Sequence, residues 1–145
     1  MDSRGRDPFV WGKHYWFFLH TLARTYPDVP NSTTKRKYYD FISNISLFLP
    51  DDEMGNKFSR MIDAYPVSPY LDSRESFMRW MNFIHNKMNA HLGKQEMSFE
   101  ESILRYESEY LPKPVYLYQQ MRIRRKVLQL GFVFCLLVAI FLFMR

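Results

Sequence analysis

Trp11-Gly12-Lys13-His14-Tyr15-Trp16-Phe17-Phe18-Leu19-His20 decides the fold of this chain. Carried on through Thr25, the stretch brings Trp16, Phe17, Leu19, His20, Ala23 and Arg24 back at steps of three and four residues, the period of one helix face. A helix over residues 9–25 is predicted. Pro27 and Pro30 close it, because proline has no backbone N–H with which to continue the ladder. Trp16 and His20 stand four residues apart and so project from the same face. Such a pair suits either a bundle core or the rim of a flat, polar-edged ligand.

The same period recurs downstream. Asn31, Ser32 and Thr33 offer caps for a second helix running to about Leu49. Tyr38, Phe41, Ile42, Ile45, Phe48 and Leu49 form its apolar stripe, and Pro50 breaks it. A third helix begins near Asp51 and carries Phe58, Met61 and Ile62. Residues 64–71, with Pro66 and Pro69, read as a loop. A fourth helix from Asp72 or Ser73 carries Phe77, Trp80, Met81, Ile84, Met88 and Leu92, with Gly93 as its C-cap. On it, His85 and Asn89 repeat the four-residue spacing of Trp16 and His20. Ser98 and Glu101 form a capping box for a fifth helix that ends before Pro112. Five helices with short joints predict an all-α fold, a four-helix bundle with a short fifth helix, over residues 1–111.

Composition agrees. Aromatic residues make up 18% of the chain and there are only five glycines, which favours large buried side chains over sheets with many tight turns. The single cysteine, Cys135, excludes an intramolecular disulfide and a cysteine-based zinc site. A chain of this kind fits a reducing compartment. The polar start of the sequence predicts no signal peptide. Residues 127–144 are apolar apart from Gln129 and Gly131. Eighteen residues at about 1.5 Å each reach across roughly 27 Å, close to a bilayer core, so a transmembrane anchor is predicted there. Residues 112–126, with Pro112, Pro114, Arg122, Arg124, Arg125 and Lys126, are expected to be a juxtamembrane linker. Tyr116 and Tyr118 suit the membrane interface. Four basic residues precede the span and only Arg145 follows it. The positive-inside tendency then places the helical domain on the cytosolic side of a tail-anchored protein. The basic cluster is read as a membrane flank, and no nucleic-acid partner is expected.

Three blocks carry a resemblance. Trp11, Gly12, Trp16, Leu19, His20, Ala23, Tyr26 and Pro27 form the first; Phe48, Leu49 and Pro50 the second; His85, Asn86, Asn89, Leu92, Gly93 and Lys94 the third. In this order and spacing, across about residues 9–111, the chain resembles the Erv/ALR family of FAD-linked sulfhydryl oxidases, and its layout is similar to the short single-domain forms of large DNA viruses. The resemblance implies a four-helix bundle with a short fifth helix that holds FAD. It implies cofactor-binding roles for Trp11, Lys13, Trp16, His20, Tyr26, His85, Asn86 and Asn89. It also implies a tendency to dimerise through the first helices. On the residues alone, Trp16 and His20 are equally core residues, and His85 and Asn89 equally polar contacts within the bundle.

Two departures qualify what the family implies. Lys13 stands where an arginine is frequent, and lysine lacks the planar fork of guanidinium. Asp51 and Met54 stand where a Cys-x-x-Cys pair is expected after Phe48-Leu49-Pro50. Such a pair needs two sulfurs at a helix N-terminus, where the dipole favours thiolate. A carboxylate is a poor electron donor and a thioether has no proton to lose, so no catalytic residue is assigned. Asp51, Asp52 and Glu53 point in different directions on one helical turn, so they read as capping and surface charge, and no metal site is assigned. The expectation is a catalytically inactive, membrane-anchored scaffold: a minor capsid or membrane-to-capsid linker of a large DNA virus, in a virion inner membrane and with viral structural proteins as partners. The alternative is an FAD-dependent thiol oxidoreductase that uses cysteines supplied in trans.

Overall fold

The computed structural model describes residues 7–111 and 117–143, with the side chains of 121–136 and 140–142 in the second stretch. The described residues are all-α. Five helices form the first part: α1 (Pro8–Arg24), α2 (Ser32–Asn44), α3 (Asp52–Ala64), α4 (Arg74–His91) and the short α5 (Phe99–Ser108). A long helix, α6 (Leu117–Phe143), follows. The chain divides into two compact units, Met1–Glu107 and Ser108–Arg145.

Each helix of the first unit starts on a side-chain acceptor, as the cap residues predict. Asp7 accepts from Phe9 N at 2.8 Å, Asn31 from Thr34 N at 2.8 Å, and Asp51 from Met54 N at 2.8 Å. Ser73 accepts from Ser76 N at 3.2 Å and Ser98 from Glu101 N at 3.1 Å. Gly93 ends α4 at φ 65°, the left-handed position that glycine takes without a Cβ penalty.

Two boundaries differ from the sequence reading. The second helix stops at Asn44 and tightens into a 3₁₀ turn over Ile45–Phe48. The Asn44 amide donates back to Asp40 O at 2.6 Å, and the carbonyl of Ser46 lies against Gly55 of α3, 2.8 Å from where a Cβ would stand. The tight turn brings the two backbones together, buries Ile45 and leaves Phe48 69% exposed, outside the stripe expected for it. The basic cluster Arg122–Lys126 is helical and continuous with the apolar run rather than part of a linker. No glycine or proline stands between residues 115 and 130 to interrupt it.

The core joins Leu19, Ala23 and Tyr26 to Ile42 and Ile45, to Met54, Phe58 and Ile62 of α3, and to Phe77, Trp80, Met81, Ile84 and Met88 of α4. Burying an aliphatic or aromatic side chain of this size stabilises by roughly 1.5–3 kcal/mol. The Trp80 indole N–H is satisfied by Tyr65 O at 3.0 Å. In the second unit, Met121–Leu142 is a 22-residue candidate span of mean hydropathy 2.0, with its basic residues Arg122, Arg124, Arg125 and Lys126 at one end and no part of the apolar run buried. By length and composition it is able to cross a membrane. Tyr116, Tyr118 and residues 112–115, as well as Met144, lie outside what is described of side chains.

Candidate functional site between α1 and α4

Helix α1 packs on α4 more extensively than any other pair of helices, and the two four-residue pairs meet at that contact. His20 Nε2 lies 3.0 Å from His85 Nδ1. The Trp16 indole stacks on the His85 ring with centroids 4.0 Å apart and planes 10° from parallel. Phe58 of α3 closes the other side of Trp16 at 6.2 Å. Burial drives the His20 imidazole down to about 4. His85 falls to about 3, first through burial and then through the nearby charges of His20, Arg105 and Lys94. Both rings are therefore neutral near pH 7. A neutral pair can share one proton across the 3.0 Å contact; a doubly protonated pair has only donors there.

The other residues singled out by sequence take distinct places. Asn89 is buried, 7% exposed, and its carbonyl accepts from Lys94 N at 2.8 Å. Asn86 clamps the segment after α4: its amide donates to Met97 O at 2.7 Å and accepts from Met97 N at 3.0 Å. Trp11 is half-buried, edge-on to Tyr15 at 5.2 Å. Tyr15 in turn donates to Phe48 O at 2.9 Å. Lys13 is exposed on α1. Tyr26 stands apart from the histidine pair, fully buried against Tyr38 and Phe77, with its hydroxyl donating to Leu71 O at 2.8 Å. The structure thus brings Trp16, His20 and His85 together, flanks them with Asn86 and Asn89, and places Tyr26 in the core.

Three neighbours escaped the sequence reading. Phe58 was assigned to the α3 stripe, and its contact with Trp16 crosses between helices that no spacing rule joins. Met97 sits in the loop before α5, yet both its backbone groups are held by Asn86. Asn82 lies four residues before Asn86; its amide reaches Met97 O at 3.4 Å, and its Oδ1 is buried without a hydrogen-bond partner. The Asn82, Asn86 and Asn89 spacing was the available signal, because three asparagines on one helix exceed what a bundle surface needs.

At the N-terminus of α3, Asp51 is the cap and Met54 is 5% exposed within the core. Phe58, one turn on from Met54 and midway along α3, contacts Trp16. Among the described residues no group of three or more His, Cys, Asp or Glu side chains is placed to hold a metal ion. Cys135, the only cysteine, is on α6.

A model of the Erv1/Alr family matches residues 13–110. A protein of Acanthamoeba polyphaga mimivirus named as an FAD-linked sulfhydryl oxidase is 32% identical over 108 residues, covering 74% of this chain and 76% of that protein. The mitochondrial FAD-linked sulfhydryl oxidase of Schizosaccharomyces pombe is 35% identical over 83 residues, covering 57% of this chain but only 46% of that protein. The crystal structure of the FAD-binding domain of Erv1 from Saccharomyces cerevisiae superposes with a TM-score of 0.64 at 28% identity, covering 70% of this chain and 95% of that domain. With the three sequence blocks, the five-helix domain and these matches in agreement, the chain belongs to the Erv1/Alr family, as a member with a single cysteine and no Cys-x-x-Cys pair.

Proposed function

We propose that this protein is a membrane-anchored, FAD-binding member of its family that brings no thiol pair of its own, so that any dithiol it oxidises belongs to a partner. The observation that carries the reading is the contact of Trp16 and His20 with His85 across α1 and α4, set in a domain similar to the Erv1 FAD-binding domain.

The chemistry of these groups fits a flavin nucleotide. Trp16 offers a flat face, the two imidazoles are uncharged near neutrality, and Asn82 Oδ1 is an acceptor buried without a partner. An aromatic N–H donor would satisfy it. Trp16 and His85 are in van der Waals contact, which leaves no space for a third ring between them. The cavity beside His20, lined with Arg24, Met78 and Tyr106, is about 10 Å³, room for one water molecule. A bound cofactor therefore packs on the outer surfaces of these side chains or parts them. Trp16, His20, His85 and Asn89 would hold it, with Trp11 and Lys13 on the α1 side. Asn86 would act by holding the Met97 segment in place, and Tyr26 by fixing the end of α1. When bound, FAD accepts the two electrons released as a partner's dithiol becomes a disulfide. Asp51 keeps the start of α3 capped, and Met54 fills the core behind it.

A second reading is a scaffold without catalysis, a membrane-to-capsid linker or minor capsid component of a large DNA virus. The burial of Met54 and the cap made by Asp51 favour it, because the former cysteine positions now serve the fold. The similarity to a mimivirus protein supports a viral setting. Exposed Phe17, Phe18 and Phe41 on α1 and α2 would pair two copies. The basic residues ahead of the span favour a cytosolic position for the helical domain.

The deciding experiment is the visible absorption spectrum of the purified full chain in detergent, followed by oxygen consumption of the Asp51→Cys/Met54→Cys variant with dithiothreitol. Stoichiometric FAD, and a gain of oxidase activity in the variant, are the expected results. A colourless chain whose double variant stays inactive would overturn cofactor binding and leave the scaffold.

A further inference from the structure

The charge of the molecule is divided sharply along the chain. Of its 20 basic residues, 14 lie in residues 1–109 together with all 15 acidic ones; residues 110–145 hold the other six and no acidic residue. The net charge of +5 thus belongs to the membrane-proximal segment, and four of those six are packed into Arg122, Arg124, Arg125 and Lys126.

Because α6 is helical from Leu117 onward, this cluster has a definite geometry, which a linker would not give it. Arg122, Arg125, Lys126 and Gln129 recur at i, i+3, i+4 and i+7, within one stripe of the helix. Arg124 is two residues from both Arg122 and Lys126, and so projects from the opposite side. All five side chains are exposed. Gln129 sits one turn deeper, inside the apolar window Met121–Leu142, and among the described residues of that window below Lys126 it is the one side chain with an amide. A shallow furrow runs down this flank, lined by Arg125 and Gln129 and then by Leu128, Phe132 and Val133. Its donors therefore stand above an apolar floor.

We infer that this stripe is a one-sided binding site for the headgroup phosphate of an anionic phospholipid, with Arg122, Arg125 and Lys126 around the phosphate, Gln129 donating from below, and the acyl chain along Leu128, Phe132 and Val133. Arginine offers paired N–H groups that match phosphate oxygens. A net negative headgroup fits because no carboxylate on α6 competes for these cations, and a choline headgroup would bring a positive charge against them. The inference rests on α6 crossing a membrane, and goes beyond the positive-inside effect because it selects one face.

The test uses the full chain reconstituted in phosphatidylcholine vesicles, with spin-labelled phosphatidylglycerol or spin-labelled phosphatidylcholine as the probe of protein-bound lipid. Retention on the vesicles through an alkaline wash establishes insertion separately. The expected result is a severalfold preference for phosphatidylglycerol. Arg125→Gln should lower it by up to about fivefold, the effect of one basic residue at an anionic surface, and Arg124→Gln should leave it nearly unchanged. Equal losses from Arg124→Gln and Arg125→Gln would overturn the site in favour of diffuse attraction. No lipid preference, with a short RNA bound through the same arginines instead, would overturn it in favour of nucleic acid. Release by the alkaline wash would overturn the anchor itself and the inference with it.

Discussion

The two walls of the candidate site carry different kinds of side chain. On the α1–α4 wall, Trp16, His20 and His85 meet in one contact. On the α3 wall, Asp51 caps the helix and Met54 fills the core. The first wall brings two part-buried imidazoles together, groups that are costly to desolvate. The second carries stabilising ones, a helix cap and a filled core position.

Mutations on the two walls sharpen or break this contrast. The three tryptophans, Trp11, Trp16 and Trp80, all lie in the helical domain, so denaturant unfolding followed by tryptophan emission reports that domain in the full chain. The largest effect is expected from Met54→Ala, a loss of about 2–5 kcal/mol as a core side chain is removed; an unchanged midpoint would mean that Met54 is not structural. Next is the pH response of the histidine wall. The folded values, about 4 for His20 and about 3 for His85, lie below the ordinary 6.5. The unfolded chain thus binds more protons between these values, and stability is lost as pH falls from 7 toward 4. The loss between pH 7 and 5 should be about 2 kcal/mol for each imidazole and should shrink in His20→Gln/His85→Gln; equal pH curves for the two proteins would show that the pair is not held neutral.

Gly55→Ala tests how closely α3 approaches the 3₁₀ turn. Its Cβ would stand 2.8 Å from Ser46 O, a backbone atom with little freedom to move, and a loss of about 1–3 kcal/mol is expected. A stabilised variant would show that the joint yields. The smallest effect is that of the cap. Asp51→Ala should lose about 1 kcal/mol and Asp51→Asn much less, because asparagine also accepts from the Met54 N–H. Equal losses in both would point to the charge of Asp51 rather than its hydrogen bond.

Much of this was legible in sequence because it is local. Helix starts at Asn31, Asp51, Ser73 and Ser98 follow from side chains that accept from N–H groups two or three residues on. The α4 stop follows from glycine's freedom at Gly93, and the pairing of Trp16 with His20 and of His85 with Asn89 follows from the helical repeat. Apolar length alone marked the membrane-competent stretch, and one cysteine alone removed the resident thiol pair.

What sequence did not reach was settled by contacts between elements. The stripe of the second helix was drawn through Phe48, but the approach of Ser46 to Gly55 turned that segment into a 3₁₀ turn and exposed the ring. One difference is local instead: within the linker expected at 112–126 the chain is helical from Leu117, since no glycine or proline from Leu117 to Lys126 opposes a helix once the apolar run has formed one. Tyr26, adjacent in sequence to the site helix, was carried into the core by a hydrogen bond to Leu71, 45 residues away. Sequence by itself determined the helices, their caps, the anchor and the missing thiols, all set by interactions within a few residues. Only the tertiary structure decided that Trp16, His20 and His85 touch and that both imidazoles are neutral, because burial and ring contact depend on how α1, α3 and α4 pack together.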